Sequence, residues 1–159
     1  MGNELDWFEE LVRKSQTPQI TLLNGSIELH SFDERNIHPE ITTVAKKLFD
    51  DGHFAQATFE AFKQLDKIVG GISGTNESGY KLMMNAFSDK GDHIRLTNLT
   101  TTSETDEQKG YQFIFSGSVL AIRNPRGHEV NLPDTIDMCL DHLSIASALL
   151  RRLEQRIGP

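Results

Sequence analysis

The sequence predicts an all-α protein: a four- to five-helix up-and-down bundle with a small N-terminal appendage of short helix and β-hairpin. Three observations carry this. From His38 onward apolar residues recur at helical spacing, Gly and Pro stand where such segments should stop or start, and period-two alternation is confined to one short stretch near the N-terminus. A chain of 159 residues holds one domain with a real core. The boundary is expected near residue 35, giving an appendage over 1–35 and a bundle over 36–159.

Leu5 to Lys14, with Trp7, Phe8, Leu11 and Val12 between acids, suits a short amphipathic helix begun by Asn3. Gln19 to His30 alternates Ile20, Leu22, Ile27 and Leu29 around Asn24-Gly25, the dipeptide of a tight hairpin turn. Pro39 then opens a helix with the stripe Ile41, Val44, Ala45, Leu48 and Phe49, ended by Gly52. A second helix, His53 to Val69, is expected to turn Phe54, Ala57, Ala61, Phe62, Leu65, Ile68 and Val69 inward and to stop at Gly70-Gly71, pairing antiparallel with the first. Ser78 should cap a shorter helix whose Tyr80, Met83, Met84 and Phe87 enter the core. Ser88 to Glu107 is polar and reads as a mobile loop. Glu107 to Arg123 is dense in apolar residues, which implies burial on most sides, in the core or in the interface of a homodimer. The last helix is expected from Pro133 to about Ile157.

Composition removes several functions. The formal charge of -7 works against a protein that coats nucleic acid nonspecifically, but not against local handling of one phosphate. The single cysteine, Cys139, excludes an internal disulfide and offers no zinc-binding pair. His30, His38, His93 and His142 show no ligand spacing, so neither a metal nor a cofactor is expected. Gly70 to Gly74 lacks the lysine of a phosphate-cradling loop. Glu4, Asp6, Glu9 and Glu10 interrupt any leader-like stretch, and no apolar run approaches the roughly 20 residues that span a bilayer. A cytoplasmic protein without a membrane segment is the expectation.

One segment crowds arginine, amide, imidazole and carboxylate together: Ile122-Arg123-Asn124-Pro125-Arg126-Gly127-His128-Glu129. In an unbroken helix Arg123 and His128 would lie about 140° apart around the axis. Pro125 and Gly127 are therefore expected to break the backbone and curl both side chains to one locus. Arginine offers a permanent charge to phosphate oxygens, and histidine trades a proton near neutral pH. That pair suits RNA, whose 2′-hydroxyl attacks the adjacent phosphodiester once a base takes its proton, with no metal required. By spacing alone a structural role fits as well, with Arg123 at a helix C-terminus and His128 satisfying a turn. Glu60 and Lys63 read as an exposed ion pair one turn apart, and His53 as a residue of the turn before its helix.

Arg123-Asn124-Pro125-Arg126-Gly127-His128 resembles the RNxxxH motif of the HEPN superfamily, whose members are helical bundles and often ribonucleases of toxin, phage-defence and RNA-processing systems. Leu48 to Ala55, Phe59 to Lys63, Gly110 to Gly117 and Leu149 to Leu153 are similar to the uncharacterised Ymh family placed within it, a likeness covering roughly Ile37 to Ile157. The resemblance implies that Arg123 contacts the phosphate, His128 acts as general base or acid, Asn124 positions the scissile group and Arg126 binds substrate. It also implies a homodimer with facing motifs, an RNA substrate, and a possible antitoxin or defence-system partner. Where some HEPN toxins carry a modifiable tyrosine two residues after the histidine, this chain has Val130. A binding module for RNA, a nucleotide or a protein is the other function class open to the same bundle.

Overall fold

The computed structural model describes residues 20–23, 26–90, 94–129 and 132–158. The chain divides into two compact units, residues 1–36 and 37–159. In the first, β1 (Ile20–Leu23) and β2 (Ser26–Leu29) pair antiparallel, with Ile20 opposite Leu29 and Leu23 opposite Ser26. This register leaves the two-residue connection that a tight hairpin needs. Asn24, Gly25 and the helix expected at Leu5 to Lys14 lie outside the described residues. A single turn, α1 (Ser31–Glu34), follows, capped by His30 Nδ1 accepting from the Phe32 amide at 3.1 Å.

The second unit is all-helical among its described residues. Its first helix, α2 (Pro39–Asp50), starts on the proline and is capped by the His38 ring, whose Nδ1 accepts from the Glu40 amide at 3.2 Å. The His38 Nε2 meets Glu154 at 3.0 Å. Gly52, at φ +82°, turns the chain into α3 (Phe54–Ser73), which packs on α2 as a helical hairpin. Gly70 and Gly71 do not end α3. Each costs about 1 kcal/mol of helix propensity, yet the helix runs through both, and a Cβ on Gly70 would meet Leu82 at an ordinary contact distance of 3.6 Å. The stop is Gly74, whose left-handed φ of +65° lets its amide close onto the Gly70 carbonyl at 3.0 Å.

A cap from another helix starts α4 (Gly79–Ala86). The Ser78 side chain makes no capping bond; the Asp66 carboxylate of α3 accepts from the Gly79 amide at 2.6 Å. Met83 and Phe87 enter the core as expected and Leu82 joins them, whereas Met84 is half-buried and Tyr80 is exposed.

The expected loop over 88–107 is shorter and better anchored than its polarity suggests. Ile94, Leu96 and Thr97 are buried, and Arg95 bridges Ile157. The Gln108 amide fastens them, donating to the Phe87 and Ile94 carbonyls at 2.9 and 3.0 Å and accepting from the Leu96 amide at 2.8 Å. Helix α5 (Thr102–Ser118) therefore begins earlier than its apolar stretch, at a Thr101–Glu104 capping box. It continues through a π-helical turn (Val119–Arg123) into α6 (Asn124–His128) without a break. The last helix, α7 (Ile136–Glu154), is capped by the Thr135 hydroxyl, and Pro133 precedes it.

Helix α3 is central, packing against α2, α4, α6, α7 and the π turn. Its Phe62 and Leu65 meet full burial together with Ile41, Phe115, Leu143 and Leu153. Each such side chain contributes about 1.5–3 kcal/mol. Phe87 and Phe115 stack at 4.1 Å between centroids. No described helix is long and apolar enough to cross a membrane.

Candidate functional site

The motif lies on continuous helix, contrary to the expected break at Pro125. Asn124 has φ -63° and ψ -43°, and the backbone leaves helix only at Glu129, with φ -96° and ψ 130°. The physical reason stands one turn earlier. Proline lacks an N–H and its ring crowds the carbonyl four residues back. The helix answers by widening over Val119–Arg123, where the Asn124 amide donates to the Val119 carbonyl, five residues back. With helical backbone from Arg123 to His128, their side chains project about 140° apart around the axis. Among the described residues no hydrogen bond joins exposed His128 to Arg123 or Asn124.

Arg123 is half-buried and meets no carboxylate among the described residues. Its Nη1 donates to Asn124 Oδ1 at 3.3 Å, its Nε is buried without a partner, and its Cζ lies 5.6 Å from the centroid of the Phe59 ring on α3. A Cβ on Gly127 would stand 2.8 Å from Phe59 Cε2, so this glycine serves the close approach of α6 to α3, and not an unusual backbone angle. Lys63 also faces that ring, at 5.9 Å, but its ammonium is paired with Glu60 at 3.1 Å, the one-turn pair the sequence suggests.

Arg126, expected to meet substrate, is occupied within the chain. Its Nε and Nη2 each donate to the Asp134 carboxylate at 2.6 Å, and its Nη1 donates to the Ile122 carbonyl at 2.8 Å. The pair closes the segment between α6 and α7. Nearby, a cleft of about 360 Å³ is bordered by His53 and Gln56 from the start of α3 and by Glu129 and Pro133 beyond the motif. His53 is exposed and its side chain caps nothing.

Behind Arg126, burial and then the Arg126 charge hold His142 below the usual histidine range. Burial pushes the Cys139 thiol up. Among the described residues, no three His, Cys, Asp or Glu side chains gather where a metal would sit.

A family model described as "Protein of unknown function (Hypoth_ymh)" matches residues 35–153. The chain belongs to this family. The match takes in α2 to α6 of the Ymh chain, α7 up to Leu153 and the whole Arg123–His128 segment. No curated protein and no solved structure matches it.

Two residues that shape this Ymh site escape a reading by periodicity. Phe59 sits off the inward stripe of α3, between Thr58 and Glu60. A large aromatic at a position due to face solvent was the available signal. Asp134, beside Pro133, reads only as a helix-start acid until the fold brings it to Arg126.

Proposed function

We propose that this protein is a HEPN-type ribonuclease: a homodimeric, metal-independent endonuclease of single-stranded RNA acting as a toxin or phage-defence effector. The observation that carries the reading is Arg123, a part-buried guanidinium without a carboxylate partner among the described residues, next to Asn124 and on the same helix as the exposed His128. The Nε of this guanidinium is buried with no hydrogen-bond partner among the described residues, and a phosphodiester oxygen is the kind of acceptor a guanidinium suits.

His128, acting as general base, takes the proton of the RNA 2′-hydroxyl, whose oxygen attacks phosphorus. The bond from phosphorus to the 5′-oxygen breaks and that oxygen takes a proton from solvent water, while His128 returns its own proton to solvent. The products are a 2′,3′-cyclic phosphate and a 5′-hydroxyl, and Arg123 balances the charge on the phosphoryl oxygens. Asn124 orients the group being cut.

The 140° between Arg123 and His128 supports a shared site, in which each phosphodiester meets the arginine of one copy and the histidine of the other. Phe113, Ile114 and Leu120 expose about half of their surfaces on the outer side of α5 and the π turn. Ala121 extends this apolar face toward Asn124 and His128. A face of that kind, continuous with the motif helix, supports a second copy as its occupant. The acidic charge of -7 and the internal use of Arg126 favour a different class, a binding module with an idle motif.

The test is cleavage of single-stranded RNA in EDTA. Wild type should leave a 2′,3′-cyclic phosphate and spare DNA. His128→Ala and Arg123→Ala should each lose on the order of a hundredfold. An inactive wild type, or variants that cut as well as it does, hands the site to the binding-module reading.

A further inference from the structure

Three cations stand around the joint between α3 and α6, and they are held differently. Arg126 has Asp134 at 2.6 Å and Lys63 has Glu60 at 3.1 Å. Arg123 has an amide oxygen at 3.3 Å and the face of Phe59, 5.6 Å from Cζ to centroid. A carboxylate in that place would fix the guanidinium but cancel its charge and occupy its fork. An aromatic face attracts the cation through its quadrupole and adds no formal charge. Gly127 belongs to the same arrangement, because a Cβ there would meet Phe59 Cε2 at 2.8 Å and push the ring away.

We infer that Phe59 is a positioning residue of the site, holding Arg123 by its π face in place of an acid so that the guanidinium stays oriented and open to a phosphate oxygen, with no carboxylate competing for it. The inference rests on the ribonuclease reading for what Arg123 meets. The placement of Arg123 by the ring stands apart from it.

The experiment compares wild type with Phe59→Leu, which keeps apolar bulk but no ring, Phe59→Tyr, which keeps the ring, and Gly127→Ala, which keeps Phe59 but displaces it. The side-chain Nε–H signal of Arg123, identified by its loss in Arg123→Lys, should carry a ring-current shift in wild type and Phe59→Tyr that Phe59→Leu and Gly127→Ala lose. Inorganic phosphate should move that signal, at about tenfold higher concentration in Phe59→Leu. RNA cleavage should fall about tenfold in Phe59→Leu and recover in Phe59→Tyr, and its pH profile should keep its form because His128 is untouched. An Arg123 signal in Phe59→Leu unchanged in shift and in phosphate response overturns the inference. A shifted signal with unchanged RNA cleavage and unchanged phosphate response also overturns it. Should no form of the protein cut RNA, the ribonuclease reading fails, and the phosphate titration alone decides the part played by Phe59.

Discussion

Arg126 and Asp134 form a two-pronged ion pair, with both bonds at 2.6 Å and side-chain exposures of 4% and 0%. Removing one partner leaves a buried charge alone, which costs about 3–5 kcal/mol, whereas replacing both by apolar groups of similar size is often neutral. Asp134→Ala should therefore unfold at markedly lower urea, while Arg126→Met with Asp134→Leu should recover most of the loss. If Arg126 instead met substrate, Arg126→Met would raise KM and leave the urea midpoint in place.

Gln108 is fully buried and holds three backbone groups of the segment before α5. Gln108→Leu keeps the bulk and strands the Leu96 amide and two carbonyls, so a loss of about 2–4 kcal/mol is expected from unmet hydrogen bonds. The Leu96 amide should then exchange its hydrogen far faster than core amides of α3. Equal slowing in variant and wild type would mean that Gln108 does not fasten this segment.

These two side chains also mark the limits of what the sequence discloses. Helix α2 is legible because its start, stripe and stop are local: Pro39, then Ile41 and Ala45, then Gly52. The start of α5 is not, since Thr101 to Gln108 reads as polar loop until a glutamine is seen satisfying a distant backbone. The same holds at the site. Arg123, Asn124 and His128 are visible as a cluster of chemical types, but their directions depend on whether Pro125 breaks the helix. The chain keeps the helix by widening the turn before the proline, a response that leaves no composition signal. Phe59 and Asp134 are contributed by elements distant in sequence or by a short connection, so no spacing rule could attach them to the motif.

His142 supplies the pH dependence. Its Nδ1 is buried without a partner among the described residues, and burial, then Arg126, hold its folded pKa below the ordinary 6.5. The unfolded chain thus takes up the proton first as pH falls. Stability from this group is full above pH 6.5 and is lost as pH drops from there through the lowered folded value. His142→Leu should flatten that part of the curve, read as urea midpoints at pH 7.5 and at roughly pH 5. A wild type that gains stability over the same interval contradicts the assignment.

The proposed composite site gives the sharpest prediction. Arg123 and His128 stand five positions apart on helical backbone, so one chain turns them to different sides of the rod. Two inactive variants, Arg123→Ala and His128→Ala, should therefore complement each other when mixed and re-equilibrated. Half of the resulting dimers are mixed, and each mixed dimer holds one site with both groups intact, so roughly a quarter of wild-type cleavage should return. A site built within one chain returns nothing, because neither chain of the mixed dimer carries both groups. Leu120→Glu, which places a charge on the exposed apolar face, should give a monomer by light scattering and abolish the complementation. A monomer that still cuts at the wild-type rate would overturn the shared site while leaving the reaction itself intact.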